Sequence, residues 1–154
     1  MRALLTVSLL MLSAPALASP PDRPIEGDLA KLQGAWTTKA GPNKDIPVWM
    51  EIKDDKVSVR LKIPLQGLEI RAEGTVKIDD SVTPHTLDWV GFTALDGQDM
   101  PEVLAIYEWD GDRFRLCNGG PNSDRPTEFK PGENSLADVL IFERSSSSET
   151  VGSK

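Results

Sequence analysis

The chain has one histidine, His85, and one cysteine, Cys117. Together they are the obvious nucleophile–base pair to look for, because a thiol attacks only as its thiolate and needs a base or a cation to form it. His85 follows Pro84 at the start of a predicted strand and reads as a surface residue. Cys117 sits near a strand end and reads as a small apolar residue. The alternatives are an intermolecular disulfide or a reactive thiol, with Arg115 two residues away on the same strand face. Ser58, Ser81, Ser123 and Ser135 lack the G-x-S-x-G turn of a nucleophilic serine. The acidic pairs Asp96/Asp99 and Asp110/Asp112 read as turn residues, since calcium takes about six to eight oxygens and the D-x-D-x-D-G pattern is missing. One histidine excludes a His-rich metal centre. Gly119-Gly120 is not followed by Gly-Lys-Ser/Thr and a helix, so it reads as backbone geometry, not a phosphate cradle. No catalytic, metal or cofactor constellation is expected, and the chain is expected not to be an enzyme.

The charge balance narrows the partners. Seventeen basic residues against 24 acidic ones give a formal net charge of −7 over 154 residues. Nothing in that pattern could neutralise a row of phosphates, so no nucleic-acid partner is expected. Residues 1–18 read as a secretory signal peptide: Arg2, an apolar run from Ala3 to Leu12, Pro15, then the small-x-small Ala16-Leu17-Ala18. The run is too short for a bilayer core of about 30 Å, which takes about 20 apolar residues, and no later segment approaches that length. Cleavage would leave Ser19, with no cysteine there for lipid attachment. The expected destination is the periplasm, the cell envelope or the extracellular space.

Residues 19–27 carry three prolines and read as a linker, and residues 28–144 as one domain. Residues 145–154 are low-complexity and read as a disordered tail. Asp28 reads as the N-cap of a short helix, Leu29 to Gln33, stopped by Gly34. Beyond Trp36 the period is two. Val57, Val59, Leu61 and Ile63 alternate with charged and polar residues, and so do Leu68 to Ile78, with Gly74 marking a bend or bulge. Six shorter strands are expected, at 36–39, 48–53, 85–92, 102–109, 113–117 and 138–144, making eight in all. Asp54-Asp55 and Asp110-Gly111 are hairpin signals. A two-residue turn at the latter puts Tyr107, Trp109, Phe114 and Leu116 on one face and sets Glu108 opposite Arg113 or Arg115. Residues 118–134 make a long connection. Sequential strands with tight turns pair antiparallel. Eight of them with one apolar face are expected to close into an up-and-down barrel, which removes exposed edges, with a β-sandwich as the alternative.

The stretch from Asp28 to Arg144 resembles an uncharacterised lipocalin-like domain family found in many copies in planctomycete bacteria. The residues that carry the resemblance are Asp28-Leu29-Ala30-Lys31-Leu32-Gln33-Gly34-Ala35-Trp36, Gly74 to Asp79 with Thr83 to Asp88, Ile106 to Asp112, Leu116-Cys117 and Arg125 to Phe129. Trp89 and Trp109 stand where smaller aliphatics are the pattern, and Ala105 where glycine is usual; facing inward, the tryptophans would make this barrel more filled than its relatives. The resemblance implies a lipocalin-like barrel and export, and no activity. Gly34-x-Trp36 is similar to the motif that opens lipocalin barrels, in which the tryptophan closes one end. Arg144 on the last strand is then the residue to lie over that ring as a cation–π lid. Gly34, Trp36 and Arg144 are therefore structural candidates.

Parity points Met50, Ile52, Val59, Leu61, Leu87, Trp89, Tyr107, Phe114 and Leu116 inward as cavity candidates. Arg125 is a candidate at the barrel mouth, free to meet an anionic head group or to pair with Glu128, and Phe129 can anchor a loop across that mouth. An eight-stranded barrel is just wide enough to be filled by side chains or to hold one small ligand. The expected function is non-covalent binding of a small apolar or amphipathic molecule. The alternative is a filled barrel serving as an envelope or extracellular scaffold. Nothing in the sequence specifies an oligomeric state.

Overall fold

The inward-facing apolar residues of all eight strands meet in one core, and the strands close around it. The computed structural model describes residues 24–133 and 136–146. The expected signal peptide, the start of the expected linker and most of the expected tail lie outside them. The elements are helix α1 (Gly27–Leu32) and strands β1 (Gly34–Ala40), β2 (Ile46–Lys53), β3 (Lys56–Ile63), β4 (Leu68–Asp79), β5 (His85–Ala94), β6 (Val103–Asp110), β7 (Arg113–Pro121) and β8 (Val139–Arg144). Each strand pairs antiparallel with the next, and β8 returns to β1, so the sheet is a closed barrel in sequence order. The Asp110 hairpin has Tyr107 opposite Leu116, Trp109 opposite Phe114 and Glu108 opposite Arg115, the last pair forming an ion pair.

Three local expectations change. Asp28 is not an N-cap: the helix starts two residues earlier than expected, at Gly27, Glu26 holds the cap position without a side-chain bond, and Asp28 is buried in the first turn. Gly74 does mark a bulge, but the extra residue is on the neighbouring strand. Between β4 and β5 the register runs from Thr75↔Val90 to Glu73↔Thr93, so the extra residue lies on β5, where Gly91 takes φ +61°. Gly74 is the smooth side of that bulge, and a Cβ there would overlap the Phe92 ring. The long connection also starts later than expected, since β7 runs on to Pro121 through a register shift at Asn118–Pro121.

The two ends of the barrel differ. Helix α1 lies across the end where β1 begins. There Trp36 donates its indole N–H to Leu32 O at 2.8 Å, and the Gln33 side chain ties the helix to the β2–β3 turn through Asp54 N and O, at 2.7 and 2.9 Å. An aromatic layer fills the barrel above it. Phe114 packs edge-on to Trp36 at 4.8 Å and stacks on Phe142 at 4.9 Å, while Trp109 leans on Phe114 at 5.7 Å. The opposite end has no such plug among the described residues.

The Gly74–Phe92 contact gives a direct test. Gly74→Ala should lower unfolding stability by about 1–3 kcal/mol, the range for overpacking a core. In a Phe92→Leu background the same substitution should cost much less. Urea unfolding of the four proteins measures the coupling; equal costs in both backgrounds would show that Gly74 answers to something other than the ring.

Candidate functional site

Two polar features stand inside this apolar barrel, one at each end. At the plugged end the Asp28 carboxylate is buried, 3% exposed. Its Oδ2 accepts from Tyr107 O–H and from His85 Nδ1, each at 2.8 Å, and its Oδ1 meets Lys31 Nζ at 2.9 Å. Its own backbone N–H donates to Asp80 Oδ2 at 2.8 Å. Burial alone would push this carboxyl up. The donors of Lys31, Tyr107 and His85 outweigh it and, with the Trp109 N–H near by but not bonded, hold the group down at about 2. An ionised carboxylate only accepts, so His85 must carry a proton on Nδ1. Tyr107 is raised well above the ordinary phenol range by its own burial, then by the Asp28 anion it faces. His85 is therefore not a free surface residue; its side chain is 32% exposed and committed to Asp28.

Arg144 completes this end. Its guanidinium carbon lies 3.9 Å from the Trp36 ring centroid, and its nitrogens donate to Gln33 O and Lys31 O at the helix C-terminus. Cations are favourable there because the last helical carbonyls are unpaired. A Cβ on Gly34 would come within 3.1 Å of Arg144 Nη1, so glycine leaves room for the lid.

At the open end lies a cavity of about 170 Å³. Met50, Val59, Leu61 and Trp89 line it, with Val48, Ile70, Ala72, Phe92, Val103, Leu140 and Phe142. Ile52, Leu87, Tyr107, Phe114 and Leu116 face inward too, but they are buried in the filled half, each no more than 2% exposed, and do not line the cavity. The two tryptophans divide in the same way. Trp109 packs into the aromatic layer, and Trp89 stands in the cavity wall, edge-on to Phe92 at 5.5 Å. Two side chains with polar ends join the lining, Asn118 and Asp138. Asn118 Oδ1 accepts the Trp89 indole N–H at 2.9 Å. Asp138 is held from the rim by Lys44 Nζ, at 2.8 and 2.9 Å. That bridge crosses the β1–β8 seam, whose paired residues are only Trp36↔Arg144 and Thr37↔Glu143. A larger depression, about 510 Å³, runs along this seam, where Lys39, Lys44, Arg113 and Glu143 share the lining with Pro47, Val48, Trp49, Val139 and Ile141. The inner cavity has the more uniformly apolar wall and is the better candidate for an apolar guest.

Arg125 is not at the mouth. It grips Asp88 with two guanidinium nitrogens, at 2.6 and 3.0 Å, and donates to Ala105 O at 2.7 Å. Asp88 alternates with inward Leu87 and Trp89, so this pair lies on the outer wall. Glu128 pairs with Lys130 and not with Arg125. Phe129 lies under the Arg115 guanidinium at 4.4 Å and does not cross the mouth. The same loop covers Cys117, which is fully buried with Sγ against Glu128 O and Lys130 O. Burial pushes this thiol up, the opposite of what a nucleophile needs.

Sequence reasoning missed Asp28 as a site and Asn118 altogether. Asp28 was signalled by its spacing: it shares a helix face with Leu32, four residues on, and a buried tyrosine such as Tyr107 needs a partner for its hydroxyl. Asn118 was signalled by parity, since it follows Phe114 and Leu116 on the inward side of β7.

Among the described residues no group of three or more His, Cys, Asp or Glu could hold a metal ion, and no helix is long and apolar enough to cross a membrane. The closed eight-stranded antiparallel barrel, plugged by a short helix and hollow at the other end, is lipocalin-like in architecture. No family model, curated protein or solved structure matches the chain.

The Asp28 cluster makes stability pH-dependent in a fixed direction. The folded carboxyl sits at about 2 and the unfolded one at 3.8, so between those values the unfolded chain binds more protons. The contribution, on the order of 2 kcal/mol, is fully present above about pH 4–5 and is lost as pH falls through about 2. Acid titration of unfolding stability should show this loss in the native chain. Asp28→Asn should be less stable at neutral pH by about 1–3 kcal/mol and should lack that acid limb; an unchanged limb would assign it to other carboxylates.

Proposed function

We propose that the protein is an exported carrier that holds a small, mainly apolar molecule in the open half of its barrel. The observation that supports this is the cavity of about 170 Å³ walled by aliphatic and aromatic side chains. The aliphatic and aromatic part of this wall has no hydrogen bonds to offer water, and an engineered apolar cavity of about 150 Å³ stays dry and takes up benzene. Drug-sized pockets run to about 300–1,000 Å³, so the enclosed part of the ligand is one ring or a short branched chain. The cavity also favours carriage over the filled-barrel scaffold, because side chains fill only the helix-plugged half. The signal-peptide reading of residues 1–18 supports an exported carrier. The resemblance of Asp28 to Arg144 to the planctomycete-type lipocalin-like domain family agrees with the fold and brings no activity with it.

Native mass spectrometry of the chain purified without denaturation should show an adduct that is lost on unfolding. Toluene, as a stand-in of the right size, should raise the thermal midpoint, by an amount that grows with its concentration. Leu61→Trp, which places a larger ring in the cavity, should remove both effects while leaving the far end of the barrel intact. A bare native mass together with no stabilisation by toluene would overturn the carrier reading.

A further inference from the structure

The carrier reading leaves the ligand's chemistry open, and one pair of side chains narrows it. An indole N–H only donates, so the Trp89–Asn118 bond of 2.9 Å fixes the orientation of the Asn118 amide. Its oxygen is spent on Trp89. Its Nδ2 group, with two N–H donors, has no hydrogen-bond partner among the described residues, and it is not closed off from solvent-accessible space. The other polar side chain of the lining, Asp138, is already engaged: both carboxylate oxygens meet Lys44 Nζ, and one also accepts the Val139 N–H. Lys44 is the cation at that rim, and Asp138 neutralises it. Arg125, the other basic candidate, is bound to Asp88 on the outer wall.

Resting on the carrier reading, we infer that the ligand is an uncharged molecule whose apolar body carries a hydrogen-bond acceptor, such as a carbonyl oxygen, and that Asn118 selects it. The unpaired polar group of the lining is a donor, while its carboxylate already accepts from Lys44 and Val139, so an acceptor-tipped ligand satisfies it. It offers no spare cation, so a carboxylate would lose its hydration against an apolar wall without a counter-charge, beside the Asp138 anion in a chain of net charge −7. A purely apolar ligand of the same shape would strip water from the Asn118 amide and leave it unpaired.

Three probes separate these cases by one group. Acetophenone carries the carbonyl, α-methylstyrene replaces its oxygen with a methylene of nearly the same shape, and benzoate carries a charge. Calorimetric titration of the full chain should rank acetophenone about tenfold tighter than α-methylstyrene, the usual worth of one hydrogen bond, with benzoate weakest. Asn118→Leu should bring acetophenone and α-methylstyrene to equal affinity. Trp89→Phe, which releases the amide from its fixed orientation and is the gentler change, should narrow the gap without abolishing binding. If the native chain binds acetophenone and α-methylstyrene equally, or benzoate best, the selectivity inference is wrong while the carrier reading stands. If none of the three binds, the carrier reading falls and this inference falls with it.

Discussion

The buried carboxylate of Asp28 is the constraint around which the closed end is built. A charge 3% exposed in an apolar barrel is costly unless several donors converge on it. Those donors come from three places in the chain: Lys31 from the same helix, His85 from the first residue of β5 and Tyr107 from β6. Satisfying Asp28 therefore fixes where the helix sits and which way it crosses the barrel. The requirement also runs outward. The helix set by Asp28 presents its last carbonyls to Arg144 and its Leu32 carbonyl to Trp36, so the closure of β8 on β1 depends on the same placement.

The filled and hollow halves follow from residue size along each strand. On β7 the inward series runs Phe114, Leu116, Asn118, from large apolar to small polar as the strand leaves the plug. On β4 the inward Ala72 lines the cavity. Aromatic rings gather at one end, where their edges and faces meet at 4.8–6.5 Å, and thin out at the other. The cavity is therefore where the inward side chains become too small to meet across the axis. Trp89 is large enough to close that space, but its indole is turned to Asn118, so it forms wall instead of filling.

The barrel was legible in the sequence because two-residue alternation and tight turns survive in almost every strand. Val57 to Ile63 is half-buried on one face with no ambiguity of period, and the Asp110 hairpin fixes register by its length. Where sequence reasoning failed, long-range pairing decided the outcome. Asp28 fits the description of an N-cap as well as that of a buried anion, and only the position of His85, 57 residues away, distinguishes them. Arg125 looks free until Asp88 is seen across 37 residues. Gly74 marks the place of the bulge correctly, and only the pairing shows that the extra residue and the positive φ belong to β5, at Gly91. Parity alone also treats all inward residues alike, so it could not separate the five that fill the core from the four that border the cavity.

Plugging one end and hollowing the other separates the cavity from the contacts that hold the fold together. Local opening is easiest where buried contacts are few. Here they are few along the upper β1–β8 seam, where the Lys44–Asp138 pair bridges strands beyond their last ladder pair, Thr37↔Glu143. That pair is partly exposed, so its attraction is weak and screened by salt. The Asp28 cluster lies at the opposite end, sealed by the helix and the aromatic layer. On the proposed carrier reading, loosening the rim around the cavity would cost only a solvent-weakened ion pair and would leave the buried carboxylate and its donors in place.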